Sequence, residues 1–277
     1  MYTVNIVDLK KLLRNNLFLD LDSHALSVSS RGLVCDFLGI HLTSVFQPII
    51  DAATGRVLGR EALLRPYLDD NTLITAENSF ERAEQGRSLV QFDRLLRTLH
   101  LLNHARSYAP GELLFVNVDA RLLSRVNDHG RTFEQILHYY SVPPERVVIE
   151  IAERRVDEKY LHEAASNFRN VGYKIAIDDF SPELSNLRGV LKLKPDIVKL
   201  SRSLIQNAAQ ISGGKGVVYG VVDVFHGIGA KVVIQGIESS AQVDVALRSG
   251  ADGLQGFYIG RTAQPSGTQE LLCRNAA

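Results

Sequence analysis

Residues 44–65 read SVFQPIIDAATGRVLGREALLR. Two runs with strand chemistry, 44–50 and 57–65, are separated only by DAATGR. A connection between parallel strands takes a dozen residues or more, whereas a hairpin closes in a few. The first strand must therefore run antiparallel to the second. Six further runs follow: LLFVNVD (113–119), VVIEIAE (147–153), KIAIDDF (174–180), DIVKLSR (196–202), KVVIQGIE (231–238) and GLQGFYIG (253–260). Most carry Val, Ile and Leu on both faces, as buried parallel strands do. Helix-like segments lie between them, the longest being SFERAEQGRSLVQFDRLLRTLHLLNHA (79–105). Eight strands alternating with helices predict an α/β fold, a modified (β/α)8 barrel of the TIM type with an antiparallel first strand.

The chain has 277 residues, 45% of them hydrophobic, enough for one large domain with a proper core. Lys plus Arg and Asp plus Glu both total 31, so the formal net charge is zero. That balance gives no electrostatic footprint for duplex nucleic acid or an acidic membrane surface. No apolar stretch approaches a membrane span, and MYTVNIVDLKKLLRNN lacks the charge and apolar run of a signal peptide. Cys35 and Cys273 lie far apart and form neither a disulfide framework nor a zinc pattern. The expectation is a soluble cytoplasmic protein. Residues 1–41 read as an N-terminal helical and linker segment, and 42–277 as the barrel domain. Within the former, VDLKKLLRNNLFLDL (7–21) has an amphipathic pattern and SHALSVSSRG (23–32) reads as a polar connector.

Active sites of such barrels lie at the C-terminal ends of the parallel strands. Reading those ends gives Glu61, Asn117, Glu150, Asp178, Asp179, Lys199, Gln235 and Gln255, each interrupting an apolar run. One such residue is ordinary loop chemistry, but a closed barrel brings all of them to one rim. Four carboxylates and an amide oxygen make a hard site suited to Mg2+ or Mn2+. The adjacent Asp178 and Asp179 repel each other unless cations sit beside them. A two-metal oxygen site suits in-line attack of water on a phosphodiester, with Lys199 holding the water or neutralising developing charge. Other signals carry less. SGGKG (212–216) lacks the pattern of a phosphate loop and reads as a connector. His100 and His104 sit among leucines and read as core, and Asp69 and Asp70 read as a solvated turn.

The ordered landmarks FQPI (46–49), EALLR (61–65), FVNV (115–118), EIAE (150–153), DDF (178–180), VKL (198–200), QGIE (235–238) and LQGFYIG (254–260) resemble the EAL domain family over roughly residues 42–265. The resemblance implies a barrel with a reversed first strand that binds cyclic di-GMP and, in active members, hydrolyses it to linear pGpG with two Mg2+ or Mn2+ ions. It implies metal ligation by Glu61, Asn117, Glu150 and Asp178, with Asp179 at the second ion. Lys199 would contact the catalytic water, and Gln255 the metal-bound water and substrate. Gln47, Leu64 and Arg65 would line the nucleotide groove, and Glu153 would steady the loop after the Asp pair.

Three departures from the family pattern stand out. Gln235 replaces a glutamate that serves active members as metal ligand and general base. The loop after the Asp pair reads Ser181-Pro182-Glu183-Leu184-Ser185-Asn186-Leu187, without the family's two glycines. Ser201 follows Lys199-Leu200 where an aspartate is usual. A neutral amide takes no proton, and loss of a positioned general base costs about 10²–10⁴-fold. The expectation is retained cyclic di-GMP binding, a weakened second metal site, and phosphodiesterase activity that is weak or lost. A fully active phosphodiesterase and a degenerate domain acting through protein contacts stay open as alternatives. So do a homodimer and a protein partner docking on residues 1–40 or on the 181–187 loop.

Overall fold

A computed structural model describes residues 6–17, 25–109, 111–126, 130–152, 157–182, 185–210 and 213–265. Glu153, Glu183, Leu184 and Cys273, and the end of the 42–277 segment beyond residue 265, lie outside the described residues.

The N-terminal pattern forms α1 (Ile6–Leu17), which buries Leu9 and Leu13 against the core. The polar connector differs from expectation. It contains β1 (Leu26–Ser29), hairpinned to β2 (Gly32–Phe37), which in turn pairs antiparallel with β3 (Ile40–Asp51). Only Leu26 is buried on this four-residue edge strand, and its serines give it the look of a linker. Cys35 on β2 is a fully buried free thiol, and burial pushes its pKa up to about 12.

From β3 the chain makes the expected hairpin into β4 (Val57–Tyr67), antiparallel along its whole length. The Asp51 carboxylate accepts from the Thr54 amide and hydroxyl, and Gly55 takes φ +69°. Then come α2 (Ala76–Gln85), α3 (Leu89–Ser107), β5 (Leu113–Asn117), α4 (Arg131–Tyr139), β6 (Val147–Ile151), α5 (Glu158–Val171), β7 (Lys174–Phe180) and α6 (Leu187–Leu193). The order closes with β8 (Ile197–Leu200), α7 (Arg202–Gln210), α8 (Gly214–His226), β9 (Lys231–Ile234), α9 (Ser240–Arg248) and β10 (Gly253–Leu254). Strands β4 to β10 are parallel neighbours in sequence order, and β3 bridges β10 to β4 antiparallel on both sides. All eight expected strands are present and the barrel is closed. Part of the SGGKG stretch is helical, since α8 begins at Gly214.

Two apolar cores follow from strand alternation. Outward-facing strand residues and the helices form the larger one. Ile49, Phe115, Val148, Ala176, Ile197 and Val233 form a separate plug inside the barrel. The other two strands supply glycine at the same level. A Cβ on Gly59 would stand 2.8 Å from the Phe115 ring, and one on Gly253 2.9 Å from Val233. This plug is the floor on which the site rests. No described helix is long and apolar enough to cross a membrane.

Candidate active site

On every barrel strand, the residue two positions nearer the mouth than the floor residue is polar. The pairs are Phe115 and Asn117, Val148 and Glu150, Ala176 and Asp178, Ile197 and Lys199, Val233 and Gln235. Gly59 is followed by Glu61 and Gly253 by Gln255. On reversed β3 the count runs backward, from Ile49 to Gln47. A strand repeats its facing every two residues, so all eight polar side chains share the barrel interior with the floor.

Lys199 is their centre. It is fully buried, and its Nζ lies 2.5 Å from Glu150 Oε1, 2.8 Å from Glu61 Oε2 and 3.4 Å from Asp178 Oδ1. An ammonium has three donors, and three carboxylates face it. Burial works against the lysine's charge, but Asp178, Glu150 and Glu61 outweigh it and hold the pKa well above the ordinary lysine value. Burial also opposes ionisation of Glu61, yet the Lys199 charge and the bonds from Lys199, Gln255 and Asn117 bring its pKa below the usual range. Glu150 goes the other way, raised first by burial and then by the Glu61 charge. The two glutamates thus split, as carboxylates sharing one cation do.

Amides tie this cluster to its neighbours. Asn117 Nδ2 donates to Glu61 Oε1 at 3.3 Å and Glu150 Oε2 at 3.2 Å. Gln255 Nε2 donates to Glu61 Oε2 at 2.7 Å and Gln47 Oε1 at 3.4 Å. Gln255 Oε1 is buried and finds no partner among the described residues.

The Asp pair owes its placement to a bulge. Ile177 pairs with Val198 and Phe180 with Leu200, so Asp178 and Asp179 together oppose Lys199. Asp179 takes φ +54°, the left-handed region that Asp tolerates better than most residues. Regular alternation would send the two carboxylates to opposite faces. The bulge lets both line one cleft of about 310 Å³, together with Gln47, Glu61, Gln235 and Gln255. On the far side Gln235 Nε2 donates to Asp178 Oδ1 at 3.1 Å.

Glu61, Asn117, Glu150, Asp178 and Lys199 are therefore in mutual contact, and Asp179, Gln235, Gln255 and Gln47 border them. Leu64 needs correction. Alternation from Glu61 turns Leu63 to the cleft, while Leu64 packs against the outer core. Arg65 shares the facing of Glu61 and is exposed. Ser201 is buried and serves the start of α7, its Oγ meeting Ser203 Oγ at 2.9 Å and the Leu204 amide at 3.4 Å. His100 and His104 are buried on α3, His100 Nδ1 meeting Ser44 Oγ at 2.8 Å. Sequence reading missed Arg202 and Glu238, which pair at 2.7 Å on the cleft wall. Their ion pair joins the start of α7 to the loop after β9, and no local pattern announces it.

The donor chemistry fits a hard divalent cation: carboxylate and amide oxygens, with Gln255 Oε1 as an orphaned buried acceptor. The geometry is closed on Lys199. Among the described residues no three His, Cys, Asp or Glu side chains are arranged to hold a metal ion. The carboxylates point at the ammonium, and Asn117 presents its nitrogen.

A family model described as the EAL domain matches residues 37–262. YkuI of Bacillus subtilis, described as an uncharacterised EAL-domain containing protein, is 32% identical over 220 residues, covering 77% of this chain and 53% of YkuI. MucR of Pseudomonas aeruginosa is described as a bifunctional diguanylate cyclase/cyclic di-GMP phosphodiesterase. It is 26% identical over 234 residues, 82% of this chain and 33% of MucR. Among solved structures, a standalone EAL protein from Vibrio cholerae O395 in its c-di-GMP-bound form has a TM-score of 0.70 at 25% identity, covering 81% of this chain and 93% of that one. YkuI in complex with c-di-GMP and calcium has a TM-score of 0.68 at 28% identity, covering 83% of this chain and 56% of that one. The chain spans 30% to 53% of the length of the curated relatives it matches first.

Proposed function

The chain belongs to the EAL domain family, and from that premise we propose that it binds cyclic di-GMP at a divalent-metal site in the barrel mouth, with hydrolysis to pGpG weak or lost. The observation that carries this reading is the Gln235 contact. An amide donates to Asp178 where a carboxylate would compete with it for cations.

Glu61, Asn117, Glu150 and Asp178 would hold one Mg2+ or Mn2+, and Asp179 would hold a second, weakened by the neutral Gln235. When bound, such ions polarise a phosphodiester and lower the pKa of water. Asn117 would turn its amide to present Oδ1, releasing the two glutamates it now bridges. Lys199 neutralises the carboxylates before any ion arrives. For it to hold a nucleophilic water, that water must replace the longest of its three contacts, the one at 3.4 Å to Asp178. Gln255 and Gln47 orient what enters beside Glu61, with Leu63 and Arg65 on the groove side. The attacking water must lose a proton as the phosphorus–oxygen bond breaks, and Gln235 has no basic site to take it. Turnover should fall by about 10²–10⁴-fold relative to a complete site.

The reading includes a cytoplasmic setting, supported by Cys35 standing as a buried free thiol. The reading also includes a homodimer, and a protein partner that would dock on residues 1–40 or on the 181–187 loop, which begins two residues after Asp179. A fully active phosphodiesterase is the second reading, favoured by the convergence of Glu61, Asn117, Glu150 and Asp178.

Titration calorimetry tests the binding. Cyclic di-GMP should give saturable heat with Mn2+ or Ca2+ and little with chelator. No heat at high micromolar nucleotide with either metal would contradict the reading and favour a domain that works through protein contacts.

A further inference from the structure

The cleft presents a charge problem to an anionic ligand. Glu61, Asp178, Asp179 and Glu238 all line it. Lys199 is fully buried and spent on three of the site's carboxylates. Among the described residues lining the cleft, one cation is exposed: Arg202, the first residue of α7.

This arginine is built into place. Its Nη2 pairs with Glu238 Oε1 at 2.7 Å. Gln206 lies one turn along α7, and with its amide assigned in the orientation that these donors require, its oxygen accepts from Arg202 Nε at 2.8 Å and Nη2 at 3.2 Å. The stem lies across Gly236, next to Gln235. A Cβ on Gly236 would stand 2.3 Å from Arg202 Cγ, and the residue takes φ +69°. Only glycine leaves room for the stem there. These contacts use the Nε and Nη2 side of the guanidinium. The side chain is still 59% exposed, with its Nη1 edge turned to no partner among the described residues.

Resting on the proposed cyclic di-GMP reading, we propose that Arg202 is a phosphate-binding residue of this site, its Nη1 edge donating to a phosphodiester oxygen of the bound dinucleotide. A guanidinium suits that task because it is always charged and its donors are fixed in a plane. Glu238 and Gln206 hold that plane in advance, which cuts the entropy lost on binding. Arg202 also stands beside Gln235, on the side of the cleft where this chain lacks a carboxylate. It supplies fixed positive charge where the second metal would be weakly held.

The test is calorimetry of the whole chain with cyclic di-GMP and saturating Mn2+, for wild type, Arg202→Met and Arg202→Lys. Methionine keeps an unbranched stem over Gly236 and removes the charge. Arg202→Met should weaken nucleotide binding about tenfold to a hundredfold, the range of a charge-assisted hydrogen bond. Its melting temperature and its Mn2+ affinity without nucleotide should stay as in wild type, which a merely structural role would not predict. Arg202→Lys should recover part of the loss, and salt should weaken the wild type more than Arg202→Met. Wild type and Arg202→Met binding within twofold of each other would overturn the proposal and leave the binding reading intact. Absence of binding by the wild type itself would overturn both, and it would show before any substitution was made.

Discussion

The two halves of the barrel mouth are built differently. On the side of β4, β5 and β6, Glu61 and Glu150 meet the Lys199 ammonium at 2.8 and 2.5 Å and are cross-linked through Asn117. On the side of β7 and β9, Asp178 meets the same ammonium only at 3.4 Å and accepts from one amide at 3.1 Å, and Asp179 stands exposed on a bulge. The first half is buried and charge-balanced. The second is open and has the neutral Gln235 amide beside Asp178. Charge density that is already balanced resists change, whereas the poorer half can be altered without unfolding the barrel. The measurements below exploit that asymmetry.

The largest effect should come from Lys199→Met. It removes the cation from three buried or half-buried carboxylates and should destabilise the fold by about 3–5 kcal/mol, the cost of breaking a buried pair by deleting one partner. Urea unfolding in chelator measures it. Added Mn2+ should recover part of the loss, because the same oxygens then have a cation. Unchanged stability would show that the enclosed half is not held by that charge.

His100 and His104 sharpen the point, because they are buried with no anion among the described residues to balance them. Burial pushes both pKa values down to about 4, with Arg60 adding to the effect at His104. The unfolded chain takes up these protons first, near pH 6.5. Their stabilising neutrality is complete above that pH and is lost as pH falls from 6.5 toward 4. Each should contribute roughly 3 kcal/mol of pH-dependent stability. Thermal melts across this window should show a steep slope for wild type and a shallower one for His100→Gln.

The floor should respond less. Gly59→Val would place a Cβ 2.6 Å from the Leu113 carbonyl oxygen and 2.8 Å from the Phe115 ring. Overpacking of this kind costs about 1–3 kcal/mol. Because Glu61 lies two residues on, the same change should also weaken Mn2+ binding, read by calorimetry. The smallest stability effect should be that of Gln235→Glu. In chelator it sets a new carboxylate against Asp178 and should cost on the order of 1 kcal/mol, and Mn2+ should reverse the sign.

Much of this was legible in the sequence. The six-residue DAATGR connection determined the reversed strand, and the strand-end polar residues do converge. The adjacency of Asp178 and Asp179 was itself a signal, since two like charges in a regular strand have no reason to be neighbours. Its structural answer, a bulge opposite Lys199, was not visible. Leu64 was assigned to the groove by family likeness, where counting by twos from Glu61 would have given Leu63. The β1–β2 hairpin escaped notice because LSVS exposes serines on a four-residue edge strand and carries too few apolar residues to show alternation. The floor-to-mouth pattern, one polar residue two places beyond an apolar or glycine residue on all eight strands, was present in the sequence. It becomes readable only once the register of the strands is known.

The central claim is that this copy of the site is short one carboxylate at Gln235. The direct measurement is pGpG formation from cyclic di-GMP with Mn2+, for wild type and Gln235→Glu in parallel at equal folded concentration. The account predicts slow or undetectable turnover by wild type and a rise of about 10²–10⁴-fold in Gln235→Glu. Fast turnover by wild type, with nothing gained on restoring the carboxylate, would contradict it.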